Sequence, residues 1–255
     1  MQGLMDLNGR VAIITGGNSG IGLGMAKGLA AAGASLVIAG RNAQKNAAAG
    51  QALRALGAQV LAIEADVTQE ADCCGLIERT LAHFGRLDIL INNAGTNIRK
   101  PPQDYTLDEW RTMMDTNLTS AFLCSKAAYP ALVAAGGGKI INTGSMTSLF
   151  GAGFAAPYSA SKGGIVQLSK SLASAWAKDN IQVNAILPGW IDTDLTRQAR
   201  KDLPGLHERV LARTPAARWG VLEDFAGIAI FLASRASDFV TGTAIPVDGG
   251  YSAQA

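Results

Sequence analysis

The chain has 255 residues, 48% hydrophobic and 16% charged, with 30 glycines and a formal net charge of +2. That composition excludes a disordered chain, and a near-neutral balance with no basic stripe between aromatics gives no reason to expect a nucleic-acid partner. No apolar run reaches the ~18 residues of a membrane span, and Met1-Gln-Gly-Leu-Met-Asp6 lacks the basic-then-apolar build of a signal peptide, so a cytoplasmic protein with no membrane partner is expected. The length suits a single α/β domain over residues 1–255. Cys73, Cys74 and Cys124 fit a reducing compartment, adjacent Cys73 and Cys74 make a poor disulfide, and His83 and His207 alone do not suggest a metal site.

Short β-branched runs bounded by glycine or polar residues alternate with helical patterns, the mark of βαβ units. The expected fold is a single-domain, doubly wound parallel sheet (Rossmann) of about seven strands with helices on both faces. Strands are expected near Val11–Thr15, Ser35–Ala39, Val60–Ile63, Ile89–Asn92, Lys139–Asn142, Gln182–Leu187 and Ala244–Val247. The first runs into Gly16-Gly-Asn18-Ser19-Gly20-Ile21-Gly22 and a helix to about Ala32. Glycines let the backbone turn tightly against a pyrophosphate, and the helix N-terminus offers free N–H groups and a positive dipole end, so this is a dinucleotide site.

At the tip of the second strand, Gly40-Arg41 lacks the carboxylate that would bond the ribose hydroxyls of NAD and repel a 2′-phosphate. Arg41 can instead pair with phosphate. NADP is therefore expected, with NAD as the alternative if Arg41 is only a solvated cation; Ser19, where a second cation would help, is neutral. Asp66 reads as the N-cap of a helix starting near Glu70. Asn92-Asn93-Ala94-Gly95 closes the fourth strand at the switch point of the sheet. A single long helix is expected from about Leu107 to Ala135, and Asn117 within it is out of place, because asparagine competes there for backbone hydrogen bonds.

Ser145 follows the fifth strand, thirteen residues before Tyr158. If the residues after Pro157 are helical, Tyr158 and Lys162 are an i,i+4 pair about 5–6 Å apart at Cβ. A phenol titrates near ~10, so a fixed ammonium that favours phenolate equips it for proton transfer to or from an alcohol, with Ser145 gripping the oxygen. Ile165, Leu168, Leu172 and Trp176 then form an apolar face for core or subunit contact. Pro188-Gly189-Trp190-Ile191-Asp192-Thr193 closes the sixth strand. Residues 194–218, broken by Pro204-Gly205, carry six cations (Arg197, Arg200, Lys201, Arg209, Arg213, Arg218) against Asp194, Asp202 and Glu208, either a site for an acidic substrate or a solvated surface.

In this order and spacing, residues 10–22, 92–95 and 140–145 with the Tyr158/Lys162 pair resemble the short-chain dehydrogenases/reductases from about Leu7 to Tyr251. The resemblance assigns the pyrophosphate loop to Gly16, Asn18, Ser19, Gly20, Ile21 and Gly22. It makes Asp66 and Val67 an adenine-contacting pair and turns Asn93, Ala94 and Gly95 toward the cofactor. It lays Pro188, Gly189, Ile191 and Thr193 against the nicotinamide. Asn117, distorting its helix and holding a water, would complete a tetrad with Ser145, Tyr158 and Lys162. Tyr158 and Lys162 also face the cofactor, with Lys162 holding the nicotinamide ribose and lowering the Tyr158 pKa. Residues 194–218 match a substrate lid, and a homotetramer is implied. The C-terminal region, with Pro215–Gly220, is most similar to bacterial members that oxidise gluconate, 2-deoxygluconate or related keto-sugar acids. The expected activity is hydride transfer between NADP and a secondary alcohol or ketone of a sugar acid or polyol. Alternatives are a 3-oxoacyl carrier-protein reductase, with Arg99 and Lys100 in its docking surface, and a non-catalytic NADP-binding regulator.

Overall fold

Seven parallel strands form one sheet in the order β3-β2-β1-β4-β5-β6-β7 in a computed structural model describing residues 3–254. They are β1 Val11–Thr15, β2 Ser35–Gly40, β3 Val60–Glu64, β4 Ile89–Asn92, β5 Gly138–Thr143, β6 Ile181–Pro188 and β7 Ala244–Val247. The order reverses between β1 and β4, which opens a crevice beyond their carboxyl ends. Each expected strand is present, some a residue longer at one or both ends.

Both faces are covered, which is why the central strands are unbroken apolar runs. Ala12, Ile14, Leu36 and Ile38 pack with helices α1 (Gly20–Ala31), α2 (Ala43–Arg54) and α9 (Ala226–Ala233). Their neighbours Val11, Ile13 and Val37 point the other way, into a cluster with α3 (Glu70–Phe84), α5 (Ser120–Ala134) and α6 (Ala156–Trp176). The apolar face of α6 joins this core: Ile165 and Leu172 are buried, and Leu168 and Trp176 pack beside them.

Two local expectations change. The long helix is not continuous: α4 (Leu107–Met114) passes through a wide π turn at Asp115–Thr119 before α5, and Asn117 lies inside that turn. Asp66 does not cap α3; Gln69 occupies that position, while Asp66 accepts hydrogen bonds from the Thr68 amide and hydroxyl. The expected break at Pro204-Gly205 is present: residues 194–218 contain two short helices, α7 (Asp194–Asp202) and α8 (Leu206–Arg213), joined at Gly205, whose φ of +71° a side chain would strain. No helix among the described residues is long and apolar enough to cross a membrane.

Candidate active site

A cleft of about 420 Å³ runs across the carboxyl ends of the strands, and every site residue expected from the sequence lines it except Gly22 and Asn117. Gly16 and Gly20 hold φ of +64° and +52°, conformations costly for any other residue. A side chain at Gly22 would collide with the Gly16 carbonyl and the Asn93 amide, so Gly22 packs α1 against the turn without touching the cleft. Ser19, the N-cap of α1, makes no side-chain cap bond, and the first turn has no acid. The free N–H groups and dipole end therefore face an anion-sized space, and the residues fit a pyrophosphate.

The two halves of the crevice are tied by side chains. Thr15 Oγ1 accepts from the amides of Asn93 (3.0 Å) and Ala94 (3.1 Å), and Asn93 Nδ2 donates to the carbonyls of Thr15 and Gly16 at 3.2 Å. Asn92 turns inward and braces β4 to β5 through Asn142 Oδ1 at 2.8 Å. Asp66 and Val67 line the cleft beyond β3, and Pro188, Gly189, Ile191 and Thr193 line it beyond β6. Arg41 borders it at the β2 tip, joined by a cation the sequence reading missed: Lys45, in the first turn of α2. Its spacing of four residues from Arg41 was the available signal.

At the other end of the cleft, Lys162 is buried and its Nζ donates to the Thr143 carbonyl at 2.7 Å. Loss of solvent lowers its pKa to about 8. The ammonium stands 5.7 Å from the centre of the Tyr158 ring. Burial pushes the Tyr158 phenol up; the Ser145 hydroxyl and the Arg99 charge pull it down without overcoming that. The phenol expected to be lowered by Lys162 is instead raised, because its own burial is the largest influence on it. Ser145 is held firmly: Ser148 Oγ accepts from the Ser145 amide at 3.2 Å and donates to the Lys162 carbonyl at 2.7 Å, fastening its loop to α6.

Asn117 reaches the same place from the π turn. Its Oδ1 accepts from the Thr96 amide at 2.8 Å and its Nδ2 donates to the Thr96 carbonyl at 3.0 Å. A Cβ at Gly95 would lie 3.1 Å from Asn117 Oδ1 and 3.6 Å from Lys162 Nζ, so glycine lets these two groups converge. Two hydroxyls beside a lysine that titrates near neutral pH can hold an alcohol or carbonyl oxygen and move a proton to or from it.

The cations of residues 194–218 are mostly committed elsewhere. Arg197 and Arg200 pair with Asp192, and Arg218 pairs with Asp224, two acids outside that segment. Arg209 bonds the Pro204 carbonyl, and Arg213 stacks 4.5 Å over Tyr251. Arg200 lies 4.3 Å over Trp219, whose Nε1 donates to His207 Nδ1 at 3.1 Å, and Ala199, Leu206 and Val210 complete a small apolar base. Arg99, outside that segment, has no ion-pair partner among the described residues. Its guanidinium is near enough to affect the Tyr158 phenol, and its Nε is buried with no hydrogen-bond partner among the described residues. Lys100, expected beside it on a docking surface, is paired with Glu109.

A family model described as Enoyl-(Acyl carrier protein) reductase matches residues 16–252. The chain is 42% identical over 250 residues to a 2-dehydro-3-deoxy-D-gluconate 5-dehydrogenase of Escherichia coli (strain K12), covering 98% of each chain. It is 38% identical to a gluconate 5-dehydrogenase of Gluconobacter oxydans (strain 621H), covering 97% of this chain and 96% of that one. A crystal structure of a gluconate 5-dehydrogenase from Burkholderia cenocepacia J2315 in complex with NADP and tartrate superposes with a TM-score of 0.95 at 40% identity, covering 100% of this chain and 99% of that one.

Proposed function

The chain belongs to the short-chain dehydrogenase/reductase family, and from that premise we propose that it is an NADP-dependent oxidoreductase acting on the secondary alcohol or ketone of a sugar acid. The observation that carries the substrate class is Arg99, whose buried Nε has no hydrogen-bond partner among the described residues and whose charge reaches the Tyr158 phenol; a carboxylate on the substrate would supply that partner. Full-length relatives named for gluconate and 2-dehydro-3-deoxy-D-gluconate, and a neighbour holding NADP with the hydroxydicarboxylate tartrate, support the same reading.

Bound NADP supplies the hydride-carrying carbon. The chain does the rest. Gly16, Asn18, Ser19, Gly20 and Ile21 at the start of α1 would hold the pyrophosphate, and Arg41 and Lys45 would meet the 2′-phosphate. Asp66 and Val67 would border the adenine; Asn93, Ala94 and Gly95 with Pro188, Gly189, Ile191 and Thr193 would border the nicotinamide end. Ser145 and Tyr158 bind the reacting oxygen, and Tyr158 exchanges a proton with it. Lys162 relays that proton toward the Asn117 side of the site. The segment 194–218 serves as a lid on its Trp219 base. We further propose one catalytic domain, a cytoplasmic location and a homotetramer, the last in keeping with exposed Trp110, Phe122 and Phe239.

The carrier-protein alternative loses support with Lys100 tied to Glu109, and a non-catalytic regulator would have no use for the assembled Ser145, Tyr158, Lys162 and Asn117. The test is a panel of sugar acids, neutral polyols of matching length and acyl thioesters with either cofactor, followed by nicotinamide absorbance. A sugar acid with NADP should give the highest kcat/KM. A neutral polyol or an acyl thioester turned over as well or better would count against the proposal.

A further inference from the structure

We infer that cofactor choice rests on a third element besides Gly40 and Arg41: an amide bridge between Asn18 and Asn46 that fills the volume a carboxylate at position 40 would need. The inference deepens the reading of the cleft as an NADP site and rests on it. Asn46, in the first turn of α2, is 2% exposed. Its Nδ2 donates to the Gly40 carbonyl at 2.8 Å and to the Ile63 carbonyl at 3.0 Å, and its Oδ1 accepts from Asn18 Nδ2 at 2.6 Å. One buried amide thus fastens the ends of β2 and β3 to the glycine loop.

That arrangement fixes what position 40 can be. A Cβ there would stand 2.6 Å from Asn18 Nδ2, so Asn18 must move, and 3.1 Å from Asn46 Oδ1, which must give by a few tenths of an ångström. Asn46 cannot flip away, because its Nδ2 must face two carbonyls; turning it would set Oδ1 against them. Its Oδ1 is therefore held toward position 40, where a carboxylate would meet it acceptor to anion. Asn18 can leave only by breaking its bond to Asn46. A strand-tip aspartate of the NAD type is therefore opposed by the volume of Asn18 and by the Asn46 amide oxygen for as long as the bridge holds.

The test is cofactor binding without substrate, measured by calorimetry, with the melting temperature of each cofactor-free variant reporting on the fold. Gly40→Ala adds a Cβ and no charge. It should weaken NADP and NAD alike by about tenfold or more in the parent, and by less than about threefold when combined with Asn18→Ala. Gly40→Asp alone should lose NADP without gaining NAD, while Gly40→Asp with Asn18→Ala should bind NAD at least about tenfold more tightly than Gly40→Asp alone. Asn18→Ser, which keeps a polar loop residue, carries the same comparison should Asn18→Ala bind neither cofactor. Parental binding by Gly40→Ala, or equal NAD binding by Gly40→Asp with and without the Asn18 change, overturns the inference. A parent that prefers NAD while the two positions remain coupled overturns the NADP reading and leaves the bridge standing.

Discussion

Replacing Lys162 with methionine should abolish turnover and yet make the fold more stable at neutral pH. Burial lowers the Lys162 pKa from an ordinary 10.5 to about 8. At 1.36 kcal/mol per unit, holding this ammonium charged costs about 3 kcal/mol. Methionine keeps much of the volume and carries no charge, but it leaves the Thr143 carbonyl without its 2.7 Å donor, a loss of about 1–2 kcal/mol. The net gain is about 1–2 kcal/mol, or roughly 2–8 °C in melting temperature for a chain of this size. The pH dependence fixes the sign. Below pH 8 the lysine is charged both folded and unfolded, so the native state bears the full penalty. Between about 8 and 10.5 the folded lysine is neutral and the unfolded one protonated, so unfolding takes up a proton and wild-type stability rises with pH. The advantage of Lys162→Met should therefore be largest at neutral pH and shrink toward pH 10. Thermal or urea melts of both proteins across that range measure it. A variant less stable than wild type at pH 7, or a gap that does not change with pH, would refute the reasoning.

Gly22→Ala places a methyl group against the Gly16 carbonyl and Asn93, and should abolish NADP binding in calorimetry while leaving a folded protein with a lower melting temperature. Arg99→Ala should raise KM for the best sugar acid by about 10–100-fold and leave a matched neutral polyol nearly unaffected, with steady-state kinetics on the pair as the check. Asn117→Ala removes both bonds to Thr96, and should cost about 2–3 kcal/mol in urea melts and lower kcat more than it raises KM.

The seven strands were legible because their apolar runs are interrupted only by glycine and polar punctuation. That Tyr158 and Lys162 would face one another was legible through their spacing. What escaped depends on partners distant in sequence. Asn46 sits in an Ala-rich helix like any surface asparagine, and only the convergence of Gly40, Ile63 and Asn18 buries it. The cations of residues 194–218 looked free because Asp192 and Asp224 lie outside the segment that holds them. Arg99 looked like a surface cation beside Lys100, yet the fold turns one toward the phenol and the other to Glu109. Asn117 was visibly misplaced in a helix, but the apolar pattern around it gave no sign that the helix widens into a π turn. For Tyr158 the neighbouring ammonium was plain and its own burial was not, which is why its phenol is raised where the sequence led to a lowered one.

The assignment of Tyr158 as the proton-transfer group is tested most directly by Tyr158→Phe, measured twice: NADP affinity by calorimetry, and turnover of the best sugar acid by nicotinamide absorbance. Removing one oxygen should leave the affinity within about threefold of wild type and lower kcat by about 10²–10⁴-fold or more. A variant that binds NADP normally and keeps most of its turnover would contradict the assignment.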